Sequence, residues 1–274
     1  EARVGELEAT QFSTTTKLKG QTTFVVGANS YGGGAEIGGE KVADLAAAAS
    51  GATTFNYDTR LFLDTSFTGK DLLRTMLRAG NFANSAFGGN SAYSGLTTME
   101  TAYEEGSPDQ INVNRIWYQF PIGSNFTATV GGRVRQDDML AVWPSAYPTD
   151  TILDLFSYAG APATYNTALG AGAGLWWEFN DFSISANYIS PNGSNSRPSA
   201  IEDEFGANCF ESGGIATDCA GSNGTVQIAY APENWGIAAA YNYASSDNGV
   251  GLYAGNGTPA ALSFQGLGVT NSAG

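Results

Sequence analysis

The sequence predicts an all-β protein, an antiparallel β-barrel that crosses a membrane on its strands. Three observations carry this reading. Apolar and polar residues alternate over segments of about ten residues. The connections between those segments are alternately short and long, and large aromatic residues gather beside the short ones. A strand in a barrel wall shows one face to hydrocarbon and the other to the interior, so its pattern has period two.

Along the chain, a weak first strand is expected around Leu18–Val26. From Thr54 the clear alternation starts: Phe55, Tyr57, Thr59, Leu61 and Leu63 on one face, Asn56, Asp58, Arg60, Phe62 and Asp64 on the other. The turn Thr68–Asp71 leads into a return strand with Leu73, Thr75, Leu77 and Ala79 opposed to Leu72, Arg74, Met76 and Arg78. A second hairpin sets Ile116, Tyr118 and Phe120 against Arg115, Trp117 and Gln119, turns at Pro121–Asn125, and returns through Phe126, Ala128, Val130, Gly132 and Val134. A third runs through Leu175, Trp177 and Phe179, turns at Asn180–Asp181, and returns through Phe182, Ile184, Ala186 and Tyr188. A fourth joins Val226, Ile228 and Tyr230 to Ile237, Ala239, Tyr241 and Tyr243 through Pro232–Trp235. With a weak strand at Leu262–Val269 the total is about ten. The long connections, 28–51, 80–109, 137–166, 190–223 and 245–260, are rich in Gly, Ser, Asn and Asp; helix is expected only at Glu40–Ala49 and Thr151–Ala159.

A soluble β-sandwich or barrel also alternates and also carries aromatics in its core. Strands of about ten residues exceed the usual five or six, and connections of 25–30 residues are unusual in a compact soluble domain. Phe120, Phe126, Trp177, Phe179, Phe182 and Trp235 fall where an interfacial girdle belongs.

Composition excludes several functions. Of 274 residues, 12 are Lys or Arg, 26 are Asp or Glu and none is His, giving a net charge of −14. The acidic balance argues against a nucleic-acid binder, which needs basic density. Absence of His removes imidazole catalysis and His-ligated metal. A hydrophobic fraction of 42% is too high for a disordered acidic chain. No run approaches the ~18 apolar residues of a spanning helix. The chain starts at Glu1 without a basic and apolar leader, so it reads as mature or trimmed. Cys209 and Cys219, ten residues apart in a polar segment, suit a loop-closing disulfide in an oxidising compartment; two free thiols are the alternative.

The segment Gln11–Gly20, followed by Gln21–Gly27, resembles the first barrel strand of cyanobacterial outer-membrane porins, the iron-uptake porins grouped with OprB-type carbohydrate porins. Asn114–Gly123, leading into Asn125–Gly131, resembles a hairpin of the same family. The resemblance implies an outer-membrane channel of a Gram-negative-type bacterium, set in outer-membrane lipid. Its cargo would be small hydrophilic solutes, either inorganic ions, iron included, or small sugars, passing by diffusion without a cofactor. It also implies a homotrimer, and peptidoglycan attachment through an N-terminal region absent here. Residues 1–10 would end the periplasmic linker and 11–274 would form the porin β-barrel domain. Such barrels usually end on an aromatic residue, whereas this chain stops at Asn271–Gly274. A barrel of about 16 strands would need on the order of 430 residues, so the chain reads as part of one.

Six of the eight arginines, Arg60, Arg74, Arg78, Arg115, Arg133 and Arg135, fall in the first five expected strands. By alternation all six point away from the apolar face, as do Asp58 and Asp64, and these eight residues are the candidate pore lining. The arginines either form a basic ladder for permeating anions or pair with acids and brace the wall. The loop 137–167, with Trp143-Pro144 and Tyr147-Pro148, folds into the barrel, caps it or packs on a neighbouring subunit; inward folding is favoured. Glu104-Glu105, Asp137-Asp138 and Glu202–Glu204 lack a full calcium-loop spacing and read as solvated acids rather than cation sites. Asp58 and Asp64 read as lumen polarity rather than a catalytic carboxylate pair. A surface adhesin is the competing function; it would lack the short-turn, long-loop asymmetry and would stay soluble without detergent.

Overall fold

The structure, a computed structural model, describes residues 15–88, 97–103, 108–145, 147, 153–161, 163–203, 206–209, 211–245 and 271–273. Ten strands form one sheet: β1 (Thr15–Gly27), β2 (Thr54–Ser66), β3 (Leu72–Gly80), β4 (Asn112–Ile122), β5 (Phe126–Arg135), β6 (Leu169–Phe179), β7 (Phe182–Ser190), β8 (Asn223–Tyr230), β9 (Ile237–Ala244) and β10 (Asn271–Ala273). Each strand pairs with its predecessor and successor in the chain, so the order is a simple meander. Every pairing is antiparallel. The first seven strands have 9 to 13 residues, enough to cross hydrocarbon at a tilt. Among the described residues β1 and β10 do not pair, so the sheet is open.

The linker expected over residues 1–10 and the strand expected at Leu262–Val269 lie outside the described residues; the strand beside β9 is instead Asn271–Ala273. The helix expected at Glu40–Ala49 is α1 (Val42–Ser50), displaced because Glu40–Lys41 first pairs with Glu36–Ile37 in a small ribbon. Of the helix expected at Thr151–Ala159, α2 covers Asp154–Ser157. It begins late because Leu153 is held in a β-bridge to Met99, and Ala159 and Gly160 leave the helix with positive φ.

Register decides which residues share a face. Leu18 lies opposite Leu63, Phe24 opposite Tyr57, Leu61 opposite Leu77, Leu175 opposite Ala128 and Ile184 opposite Ile228. Leu18, Phe24, Phe126, Phe179, Ile184, Val226, Ile237 and Tyr241 on this face are all exposed. A contiguous apolar surface running across nine strands is far larger than the patches water-facing monomers carry. At the short-turn end the aromatics touch one another: Phe67 with Tyr118, Tyr118 with Phe120, Trp177 with Phe179, Phe182 with Tyr230 and Tyr230 with Trp235.

Strict alternation breaks in β5. Trp117 pairs with Gly131 and its neighbour Ile116 with Arg133, and a further shift follows towards β6. A Cβ on Gly131 would sit 2.6 Å from the Trp117 Cβ, so only glycine permits this approach. The shift turns Val134 to the polar side, where it is fully buried with Trp117, Met139, Ala168, Ile189 and Ala244. It leaves Arg133 in register with Ile116 of the apolar face, its Nε donating to the Asn114 carbonyl at 2.9 Å.

The β2–β3 turn is locked by Asp71. Its carboxylate accepts from the Thr68 backbone N–H (2.7 Å), the Ser66 Oγ (2.9 Å), the Thr68 Oγ1 (2.6 Å) and, from β4, the Tyr118 hydroxyl (2.7 Å). Desolvation pushes this carboxyl upward, but the converging donors outweigh it and hold its pKa well below the usual carboxylate range. A depressed pKa contributes stability above the unfolded-state value and loses it as pH falls. Asp71→Ala is therefore expected to lower the unfolding midpoint in detergent at about pH 7, with the deficit shrinking below about pH 4. Urea titration followed by the shift in gel mobility between folded and unfolded forms measures it.

Candidate functional site

The face opposite the apolar one is polar and charged. In β2, Asp58 is almost fully buried and receives a two-pronged contact from Arg78 on β3, at 2.6 and 3.0 Å. Arg60 donates to the same carboxylate at 2.7 Å, and the Thr101 hydroxyl donates to it at 3.1 Å. Arg78 also lies 4.2 Å from the Tyr103 ring centroid. Nearer the short-turn end, Asp64 takes a two-pronged contact from Arg74 (2.8 and 2.9 Å) and one from the Lys19 ammonium (3.1 Å). Arg74 is seated between the Phe62 and Trp117 rings, 5.2 and 5.4 Å from their centroids. Removing Asp58 would take the carboxylate partner from the buried Arg78 guanidinium, a loss of about 3–5 kcal/mol for a pair of this kind.

A third cluster forms where β5 ends in a single 3-10 turn, Gln136–Met139. Arg135 grips Asp137 with two nitrogens and approaches Glu100 at 3.5 Å, while Arg115 on β4 reaches Asp138 at 2.8 Å. Burial pushes the Asp137 carboxyl up, but Arg135 and Arg115 outweigh it and hold its pKa well below the usual range. Of the six arginines expected on this face, Arg60, Arg74, Arg78, Arg115 and Arg135 are thus in ion pairs, and Arg133 is set in the register shift. Asp58 and Asp64 are six residues apart on one strand, roughly 20 Å at about 3.3 Å per residue, too far to flank one bond.

The segment 136–168 folds onto the polar face, over β6 to β9. Met139 packs above Gly174, where a Cβ would come within 2.7 Å of the methionine Cβ. Beyond Asp137 and Asp138, the contacts that hold the segment over β6 to β9 are neutral. Gln136 donates to the Thr225 hydroxyl (2.6 Å) and the Thr164 carbonyl (2.8 Å). Gln227 donates to the Val142 carbonyl and accepts from the Tyr165 hydroxyl, both at 2.7 Å. The Ala141 N–H reaches Ser185 Oγ at 3.0 Å, and Asn166 reaches Asn242 at 3.3 Å. Trp143 lies edge-on to Tyr165 and donates to the Ser157 carbonyl.

A second inward strip, residues 97–103, meets this segment. Met99 bridges Leu153, the Asp154 N–H donates to the Thr98 carbonyl at 2.8 Å, and the Ser157 hydroxyl reaches Glu100 at 3.2 Å. Asp154 is buried against Glu100, so burial first and the neighbouring carboxyl second raise its pKa to about 9.

Sequence reasoning missed Lys19, Glu100, Asp154, Gln136 and Gln227. Lys19 was readable from the β1 alternation; the others become partners only when the long connections fold inward. Asp137 and Asp138 are engaged by arginines, and Glu104-Glu105 lies outside the described residues. Cys209 and Cys219 are joined, with Cα atoms 5.5 Å apart. The disulfide closes the connection between β7 and β8, where the Asn192 amide donates to the Ser212 and Cys219 carbonyls.

A raised carboxyl pKa stabilises the fold below the unfolded value, and that contribution is lost as pH rises towards the folded value. Asp154→Asn removes this penalty. The variant is expected to unfold at higher urea than the parent at about pH 8 and at the same urea near pH 3.5. Paired urea titrations at the two pH values check the sign.

The family described as "Carbohydrate-selective porin, OprB family" matches residues 1–184. An uncharacterised protein of Synechocystis sp., sll0772, is 30% identical over 270 residues, covering 96% of this chain and 43% of its own length. An uncharacterised protein of Nostoc sp., alr4550, is 37% identical over 141 residues, covering 48% of this chain and 22% of its own length. The chain therefore spans less than half the length of these curated relatives. No solved structure matches it. With a two-faced antiparallel sheet and a family match across two-thirds of its residues, the chain belongs to the OprB family of carbohydrate-selective porins, proteins of the outer membrane.

Proposed function

We propose that this chain builds one wall of a water-filled channel through which small hydrophilic solutes, sugars and inorganic ions among them, diffuse passively across the outer membrane. The observation that carries this is the division of one sheet into an exposed apolar face and a charged, hydrogen-bonded face. The apolar face meets lipid, and the polar face, with Arg60, Arg74, Arg78, Arg115, Arg133, Arg135, Asp58 and Asp64 on or beside it, lines the lumen. Residues 136–168 narrow that lumen, and the short turns face the periplasm.

Residues 11–274 belong to a larger barrel of about 16 strands, which would give the β1 edge a partner. Residues 1–10 continue into a periplasmic linker that reaches peptidoglycan, and the assembly is a homotrimer. The arginine ion pairs on the polar face support a rigid wall: a charge pair held at 2.6–2.9 Å keeps long side chains out of the solute path.

In planar bilayers the full-length protein is expected to insert in discrete conductance steps, and liposomes carrying it should swell at rates that fall as sugar size rises. Replacing residues 141–163 by a short Gly-Ser link should raise the step size. Absence of steps in the parent protein would contradict the channel reading.

A further inference from the structure

The polar face is not evenly charged along its length. In its long-loop half Arg60, Arg78, Arg115 and Arg135 are matched by Asp58, Asp137, Asp138 and Glu100, each within the same contact networks. Asp154 is buried beside Glu100, which favours its neutral form. In the short-turn half one carboxylate, Asp64, faces three cations. Arg74 takes both of its oxygens and Lys19 takes one of them. Lys17 lies in register with Asp64 on the same face of β1, exposed and without an acidic partner among the described residues.

The three cations differ in availability. Arg74 is held between two aromatic rings with its Nε and Nη2 already donated to Asp64. Lys19 keeps 62% of its side chain exposed while touching Asp64. An ammonium has three donors, so one contact leaves two for a passing solute. Lys70, Asp71, Asp181 and Glu233 lie in the short turns themselves, with Asp71 committed to the donors of its own turn, and Glu178 on β6 accepts from the Trp176 indole N–H. It is five strands away, roughly 24 Å along the sheet at about 4.8 Å per strand, beyond the ~8 Å screening length of physiological salt.

We propose that Lys17 and Lys19, rather than the arginines, determine the charge preference of the channel, drawing small anions such as chloride and inorganic phosphate through its short-turn mouth. A pair of solvent-exposed ammonium groups on a low-dielectric wall concentrates anions locally, whereas paired guanidinium groups present nearly neutral polarity. This inference rests on the channel reading above.

The test is the reversal potential of the full-length protein in a potassium chloride gradient across a planar bilayer. The parent channel should prefer chloride, and Lys17→Gln with Lys19→Gln should lower the chloride-to-potassium permeability ratio several-fold with the conductance steps retained. Lys17→Cys gives a readout that does not depend on how a charge-deleted variant folds; the two cysteines of this chain are bonded to each other, and the parent protein treated in parallel controls for any other thiol. Treating the inserted channel with a cationic thiosulfonate should restore the parent's preference, and an anionic one should push it towards potassium. If steps appear but neither reagent shifts the reversal potential, the assignment to Lys17 and Lys19 is wrong. If the parent protein gives no steps at all, the channel reading fails and takes this assignment with it.

Discussion

Every backbone N–H and C=O that enters hydrocarbon needs a partner inside the protein, and the rest of this structure follows from that constraint. A strand of nine to thirteen residues meets it only by pairing along its whole length with neighbours on both sides. The simplest route is the meander seen here, in which each strand hydrogen-bonds to the one before and the one after. The period-two pattern then sorts side chains without further instruction. Residues such as Leu18, Phe24, Ile184 and Val226 stay exposed on one face because their solvent is lipid. Asp58, Asp64 and their arginines are confined to the other, since a charge among lipid tails costs about 2–4 kcal/mol.

Charge alone would leave the polar face over-tied to itself. The two halves of the sheet solve this differently. Over β2 to β5, guanidinium groups and carboxylates satisfy one another at contact distance. Over β6 to β9 the face is built from Ser, Thr, Asn and Gln, and the covering segment binds through amides, hydroxyls and carbonyls. Neutral contacts place the segment firmly without burying unpaired charge. Glycines at 131 and 174 make room, one for the register shift beside Trp117 and the other for Met139 above the sheet.

The strands were legible in the sequence because alternation is a local signal repeated many times. Eight of them, from β2 to β9, coincide with the segments read from Phe55 to Tyr243. The register shift at Gly131 was not legible. Gly, Gly, Arg, Val, Arg continues an acceptable alternation on paper, and only the close approach of Trp117 shows that the strand slips there. The arginines stood out as a group, but their partners Asp137, Asp138 and Glu100 lie in long connections whose return to the sheet has no local signature. The same holds for Asp154, which meets Glu100 only because Leu153 bridges Met99. Membership of the porin family adds the outer membrane as the setting; it does not supply these contacts.

Whether one face of the sheet meets lipid and the other water is most directly tested on β1, which lies beyond the covering segment. Spin labels placed singly at residues 17 to 26 of the full-length protein in bilayers would be read for collision with oxygen and with a water-soluble nickel chelate. Oxygen contact should peak at Leu18, Thr22, Phe24 and Val26, and chelate contact at Lys17, Lys19, Gln21 and Thr23, the two profiles out of phase with a period of two residues. Profiles that rise and fall together, or show no such period, would contradict the account.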